Sequence, residues 1–134
     1  NVVKDFSKKK IIVSLFIAAD RRQIDASRDL GVEAIEIHTG SYADAKTHLT
    51  RLKELKKIRE MARYAHQLGL AVNAGHGLNY TNTKAIAQIP EMEELNIGHS
   101  IVSLAITVGL PKAVEEMVLL IKQEGHKAQD TRHS

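Results

Sequence analysis

The chain has 134 residues, of which 43% are hydrophobic and only 4% aromatic, so it can bury one core of aliphatic side chains. The net charge of +3 and the scarcity of aromatic residues argue against a nucleic-acid partner, and the absence of cysteine excludes disulfides, thiolate metal ligands and a cysteine nucleophile. No apolar run is long enough to span a bilayer and no cleavable leader opens the sequence, so we expect a cytoplasmic protein with no membrane partner.

The first strand and the first helix are predicted from an apolar run that ends at a capping residue. Residues 11–17 are continuously apolar or β-branched, apart from one serine, which predicts a strand covered on both faces. Asp20 can cap a helix over residues 21–30, and Gly31 can end that helix. Together they predict one strand–helix unit.

Three more strand–helix units follow in chain order. We expect strands at 34–38, 70–74 and 94–97, helices at 49–68, 83–88, 100–108 and 112–122, and a loose tail over 125–134. Such alternation predicts one α/β domain over 1–134 with parallel strands, either an open doubly wound sheet or part of a (β/α) barrel. No G-x-G-x-x-G fingerprint occurs, and the short helix straight after the last strand favours the barrel.

A motif of the form Asn-x-Gly-His ends two of these strands, at residues 73–76 and 96–99. Glycine allows a sharp turn close to a ligand, and histidine can exchange a proton near neutral pH. His76 lies between two glycines, so we expect it to act as an acid–base group rather than as an ordinary exposed loop histidine. Asn73 and Asn96 are expected to support the two turns.

The second of these motifs also opens a helix. The backbone N–H groups of Gly98 and His99 would present hydrogen-bond donors and the positive end of the helix dipole to an anion. In barrels, the loops after the last two strands commonly hold a phosphate at such a helix start. We therefore expect a phosphate to bind at Gly98 and His99.

Glu36 and His38 lie two residues apart in the predicted second strand, so their side chains face the same way. A carboxylate inside an otherwise apolar strand is costly to bury without a partner, which favours a functional Glu36 over a strand face that merely meets water. For His38 the two interpretations stay open. The chain lacks the His-x-x-x-His spacing of a helical metal site, and we expect no metal.

Three segments, at residues 35–46, 72–82 and 87–101, resemble those of the pyridoxine 5′-phosphate synthase family, and the similarity extends over about 11–117. The resemblance implies a (β/α)₈ barrel, an octamer, and neither a metal nor a redox cofactor. It implies condensation of 1-deoxy-D-xylulose 5-phosphate with 3-amino-2-oxopropyl phosphate to pyridoxine 5′-phosphate, phosphate and water. It also implies that His76 is a general acid, that Glu36 stabilises charge in the transition state, and that Gly77, Gly98 and His99 contact the amino-oxopropyl phosphate.

The chain departs from the family in its length and at Leu104. The resemblance places these 134 residues in the C-terminal half of the family's chain, without the other catalytic histidine and glutamate, so we expect this segment alone to be inactive and to self-associate. Leu104 stands where the family usually has arginine, which we expect to affect helix packing more than chemistry. The alternatives are a non-catalytic half-barrel that binds or assembles, or another phosphate-binding barrel enzyme. A Schiff-base aldolase is disfavoured because no lysine ends a strand.

Overall fold

A parallel sheet with helices forms the frame of the chain. The computed structural model describes the backbone of residues 2–130 and the side chains of residues 2–122. Its elements in chain order are α1 (Val2–Lys8), β1 (Ser14–Ile17), α2 (Arg21–Leu30), β2 (Ala34–His38), α3 (Gly40–Ala43), α4 (His48–Gln67), β3 (Ala71–Gly75), α5 (Thr83–Ala87), β4 (Met92–Asn96), α6 (His99–Val108) and α7 (Leu110–Asp130).

The four strands lie in the order β1-β2-β3-β4, and each pairs with its neighbour in parallel. Spatial order therefore equals chain order, as it does in successive units of a (β/α)₈ barrel. Register places Phe16, Glu36 and Asn73 side by side in one row across the first three strands. This confirms the predicted α/β class and puts the polar residues of neighbouring strands on a common face. Within the described residues, no helix is long and apolar enough to cross a membrane.

Helix α2 begins and ends where its local signals predict. The Asp20 carboxylate accepts hydrogen bonds from the backbone N–H groups of Arg22 at 3.0 Å and Gln23 at 3.3 Å. At the other end, Gly31 has a φ of 80°, the left-handed conformation that a helix C-terminus favours in glycine. Ile24, a residue of this helix, is fully buried.

The core lies on one face of the sheet, between the strands and the long helix α4. Ile35 and Ile37 of β2 are fully buried and are in register with Val72 and Ala74 of β3. They belong to one apolar cluster with the inner side of α4, which contributes Leu55, Ile58, Ala62 and Ala65. Because side chains alternate along a strand, Glu36 and His38 point to the opposite face.

Strand β1 is shorter and more open than predicted. It starts at Ser14 instead of residue 11, because its register with β2 begins at the pair Ser14 and Ala34. Ile12 is 74% exposed and Phe16 is 56% exposed, so the expectation of a strand covered on both faces was wrong. The reason is that Phe16, in register with Glu36, lies on the face of the sheet opposite the core, and that face opens into a cleft.

Several helix boundaries also differ from prediction. Helix α1 was not predicted, and residues 40–43 form the short helix α3 where a loop was expected. Helix α7 starts two residues early, because Pro111 is tolerated in the first helical turn, and it continues to Asp130. The expectation of a loose tail over 125–134 stays a prediction, and residues 131–134 lie outside the described residues.

Glu33 ties the segment before β1 to the start of β2. One carboxylate oxygen accepts from the Ser7 hydroxyl at 2.7 Å, and the other accepts from the Val13 backbone N–H at 3.0 Å. These hydrogen bonds lower the pKa of Glu33, with the Val13 N–H as the larger cause and Ser7 as the second.

The free energy of unfolding should therefore fall in acid, and part of that fall should come from Glu33. A carboxyl group with a lowered folded-state pKa contributes stability that is complete above its unfolded value of 4.5 and is lost as the pH falls through the folded value. We expect urea unfolding of Glu33→Gln to depend less on pH below 4.5 than unfolding of the unmodified chain. Glu93→Gln, at an exposed position of β4, is the control, and equal acid dependence in both variants would contradict the prediction.

Candidate active site

A cleft of about 970 Å³ opens beside the carboxyl ends of β2, β3 and β4. It is lined by the side chain of Glu36, by the turn after β3, by the turn after β4 and by one side of α6. The lining residues are Phe16, Glu36, His76, Gly77, Leu78, Asn79, Tyr80, Asn96, Ile97, Gly98, His99, Ser100, Ser103, Leu104 and Thr107. A volume of this size accommodates small-molecule ligands.

Both glycine–histidine turns face this one cleft. His76 and Gly77 form one part of its wall, Gly98 and His99 form another, and Glu36 lies in the wall with them. Parallel strands end at the same edge of a sheet, so turns that lie 23 residues apart in the sequence become neighbours in space. The structure thus brings these five residues to the wall of one cleft.

Glu36 holds a defined position through a contact with the last strand. Its Oε2 accepts a hydrogen bond of 2.7 Å from the Asn96 side-chain amide. Asn96, predicted as a supporting residue, thus contacts Glu36 directly and also lines the cleft. Asn73 is 9% exposed and lies beside Glu36 in register, outside the cleft lining.

His76 has an unusual backbone conformation and stacks on a second histidine. Its φ is 80°, in the left-handed region that few residues other than glycine adopt. Its ring stacks on His38, with ring centroids 4.6 Å apart and planes inclined by 24°, and Phe16 contacts the His38 ring at 5.1 Å. His38 therefore supports His76 and does not itself line the cleft.

The backbone N–H of Gly40 donates to Nδ1 of His38 at 3.2 Å. Because Nδ1 accepts this hydrogen bond, the neutral His38 ring carries its proton on Nε2. A Cβ at Gly40 would clash with the His38 ring, so a larger residue there would displace the ring from its position. The ring that stacks on His76 is thus fixed from two sides.

Thr39 links the end of β2 to the turn that carries His76. It is fully buried, and its hydroxyl lies 2.6 Å from the carbonyl oxygens of both Gly75 and His76, to which it can donate in turn. Its backbone N–H donates to the same Gly75 carbonyl at 2.8 Å. These bonds stabilise the left-handed turn, and the sequence carried no signal for this role of Thr39.

The turn after His76 packs closely against the short helix α3. Gly77 has a φ of 76°, and a Cβ at this position would lie 2.6 Å from the Cβ of Ala43. Asn82 then fastens the loop by donating from its amide to the Gly77 carbonyl at 3.1 Å. Both the backbone angle and the available space therefore require glycine at 77.

Helix α6 directs its first turn at the cleft. It begins at His99, and its N-cap residue Gly98 has no side chain that could accept from the first-turn N–H groups. Gly98, His99 and Ser100 all line the cleft. The Ser100 hydroxyl donates to the Leu78 carbonyl at 2.8 Å, which fixes the helix start against the turn after β3. An anion in the cleft would meet backbone donors here.

The far wall of the cleft comes from residues that the sequence did not single out for chemistry. Asn79 and Tyr80 line it from the loop between β3 and α5, and Tyr80 donates to the Ala113 carbonyl at 2.7 Å. Desolvation raises the pKa of Tyr80, with a smaller contribution from Glu116, so the phenol remains a donor. Leu104, expected to affect helix packing, also lines this wall.

Among the residues whose side chains are described, no three His, Asp or Glu groups are placed to hold a metal ion.

Comparison with known proteins now assigns the chain to a family. Residues 1–123 match the sequence profile of the family described as "Pyridoxal phosphate biosynthesis protein PdxJ". The chain belongs to the PdxJ family.

Two curated proteins are similar to this chain over most of its length. It is 50% identical over 117 residues to a protein of Idiomarina loihiensis and 53% identical over 107 residues to a protein of Neisseria meningitidis serogroup A, both named pyridoxine 5′-phosphate synthase. These matches cover 87% and 80% of this chain, and 48% and 44% of the two relatives. The chain spans about half the length of the curated relatives it matches.

Membership of the PdxJ family agrees with the parallel β/α units and with a cleft at their carboxyl ends. The structure places His76, Glu36, Gly77, Gly98 and His99 in one site. Their assignment to acid catalysis, charge stabilisation and phosphate binding stays a prediction.

Proposed function

We propose that this chain forms part of the active site of a pyridoxine 5′-phosphate synthase. The enzyme would condense 1-deoxy-D-xylulose 5-phosphate with 3-amino-2-oxopropyl phosphate and release pyridoxine 5′-phosphate, phosphate and water. The observation that carries the proposal is the convergence of a carboxylate, an imidazole and a helix N-terminus on one cleft. The names of the relatives at 50% and 53% identity support the same reaction.

His76 is proposed as the general acid. Ring closure requires loss of water, and a hydroxyl group leaves readily only when it receives a proton as its bond breaks. His76 is solvent-exposed at the cleft wall, and its ring is held by the stack on His38. A proton donor with a fixed orientation suits this step.

Glu36 is proposed to stabilise positive charge in the transition state. An amine that condenses with a carbonyl passes through a protonated iminium, whose positive charge a nearby carboxylate stabilises in a site shielded from water. Glu36 is half-buried and accepts from Asn96 on only one of its oxygens, so its carboxylate remains available to the cleft.

The phosphate of 3-amino-2-oxopropyl phosphate is proposed to bind between Gly77 and the start of α6. Gly98 and His99 contribute backbone N–H groups and the positive end of the helix dipole. Both glycine turns lack side chains that would keep a phosphate away from the backbone. A phosphate held there would bring the reacting amine and ketone of the substrate within reach of His76 and Glu36.

We also propose that the enzyme is a cytoplasmic homo-octamer and that the 134-residue segment alone is inactive. Strands β1 and β4 each pair on one side only within the described residues. The unpaired N–H and C=O groups of such an edge can pair with a further strand of the same protein or with another copy of the chain. Exposed apolar residues on α6, among them Ile106 at 85% and Val102 at 60%, likewise favour burial in an assembly.

The test is to mix both substrates with the protein as the cell makes it, and in parallel with the 134-residue segment. We expect the first to form pyridoxine 5′-phosphate, detected by chromatography and absorbance, with release of inorganic phosphate. Each substrate alone is the control, because an isomerase or aldolase would convert one without the other. Binding of phosphate without any product would favour the binding module, and no product from the natural protein would contradict the proposal.

A further inference from the structure

Glu36 and Asn96 make contact although a whole strand lies between them. Glu36 belongs to β2 and Asn96 to β4, with β3 in the middle of the sheet order. Neighbouring strands lie about 4.8 Å apart, so two positions separated by a strand are about 10 Å apart along the sheet. The hydrogen bond of 2.7 Å from Asn96 Nδ2 to Glu36 Oε2 therefore requires both side chains to lean over β3.

Gly75 leaves the space through which the two side chains meet. It is in register with His38 on one side and with Asn96 on the other. A Cβ on Gly75 would clash with Glu36 Oε1 and would lie 3.0 Å from the Asn96 carbonyl oxygen and 3.2 Å from the Asn96 Cβ. Its φ is not in the left-handed region, so a side chain at position 75 is opposed by the space that Glu36 and Asn96 occupy and not by backbone conformation.

The donor that Asn96 supplies is neutral. An amide N–H that bonds one carboxylate oxygen restricts rotation of the carboxylate and leaves its negative charge in place. A lysine or arginine at the same distance would form an ion pair and cancel the charge that the site is proposed to use. Asparagine thus orients Glu36 without neutralising it.

We infer that Asn96, across the gap left by Gly75, is a positioning residue that sets the orientation of the Glu36 carboxylate in the cleft. The inference rests on the proposed function for its kinetic consequence, whereas the contact itself can be tested without turnover. Asn96 acts through Glu36, and removing either side chain should remove the same contribution. That common effect distinguishes positioning from a general structural role.

The first arm of the test measures the contact in the natural protein labelled with ¹⁵N-asparagine. Asn96→Asp identifies the side-chain amide signals of Asn96 by their disappearance. We expect Glu36→Ala to shift those signals and Glu94→Ala, a change of an exposed residue two positions before Asn96 on the same strand, to leave them in place. Unmoved Asn96 signals in Glu36→Ala would overturn the inference.

The second arm is a double-variant cycle in product formation. Because a misplaced catalytic group costs roughly 10- to 100-fold, Asn96→Ala is expected to lower kcat by that factor with little change in KM. Asn96→Asp matches asparagine in shape but places a second carboxylate beside Glu36, so it should lower kcat further than Asn96→Ala does. The double variant with Glu36→Ala should be no slower than Glu36→Ala alone.

The outcomes separate the inference from the proposed function. Losses that multiply in the double variant, or an Asn96→Asp variant as active as the unmodified protein, would overturn the positioning role. Gly75→Ala gives an independent check, since its Cβ should displace Glu36 and shift the Asn96 amide signals with both side chains intact. If the unmodified protein forms no product, the proposed function fails and the amide signals alone decide the inference.

Discussion

Replacement of His76 by asparagine should sharply lower the rate of product formation and leave the protein folded. His76 has a φ of 80°, and asparagine is among the few side chains that tolerate this left-handed conformation. The asparagine amide does not exchange a proton near neutral pH, so the variant loses the acid and retains the backbone. General acid–base catalysis contributes roughly 10²- to 10⁴-fold, and kcat should fall by that factor.

The matched control for this prediction is His66→Asn, because His66 is an exposed residue of α4 outside the cleft lining. It should keep the activity of the unmodified protein. Circular dichroism and urea unfolding of both variants report whether the fold survives. A His76→Asn protein that is folded and retains most of its kcat would exclude His76 as the acid.

Replacement of Gly77 by alanine should both destabilise the fold and distort the proposed phosphate site. The left-handed φ of 76° costs an alanine about 1–2 kcal/mol. The new Cβ would also lie 2.6 Å from the Cβ of Ala43, and forcing such a contact apart typically costs about 1–3 kcal/mol more. We expect a lower urea midpoint and weaker binding of inorganic phosphate, measured by calorimetry.

Gly69→Ala separates the two contributions. Gly69 has a φ of 83°, and a Cβ there would meet nothing within 4 Å, so this variant should show the conformational cost alone. The difference between the two free energies of unfolding then measures the close approach of Gly77 to Ala43. Equal values for both variants would contradict the packing of the turn against α3.

Local signals allowed much of the fold to be predicted. Helix α2 matches its prediction residue for residue. Asp20 directly precedes the helix and Gly31 directly follows it, so both signals act without distant partners. Strand β2 matches as well, since its alternation of buried and polar residues is complete within five positions. The two glycine–histidine turns were likewise predicted from four-residue motifs.

Boundaries that depend on neighbours in space were predicted less well. Residues 11–13 have strand-like side chains, but β1 begins only where β2 offers a partner at Ala34. Residue 12 is exposed for the same reason. Strand pairing is set by a second segment of chain, so the propensity of one segment could not place the boundary.

The amino-acid sequence by itself determined the alternation of strands and helices, the family, and the glutamate and two glycine–histidine turns of the cleft, because each depends on patterns within continuous stretches of chain. Only the tertiary structure decided how those residues contact one another. The hydrogen bond from Asn96 to Glu36 across Gly75 and the stack of His38 on His76 join residues 60 and 38 positions apart in the chain. Such contacts follow from strand order and register, which are properties of the assembled sheet.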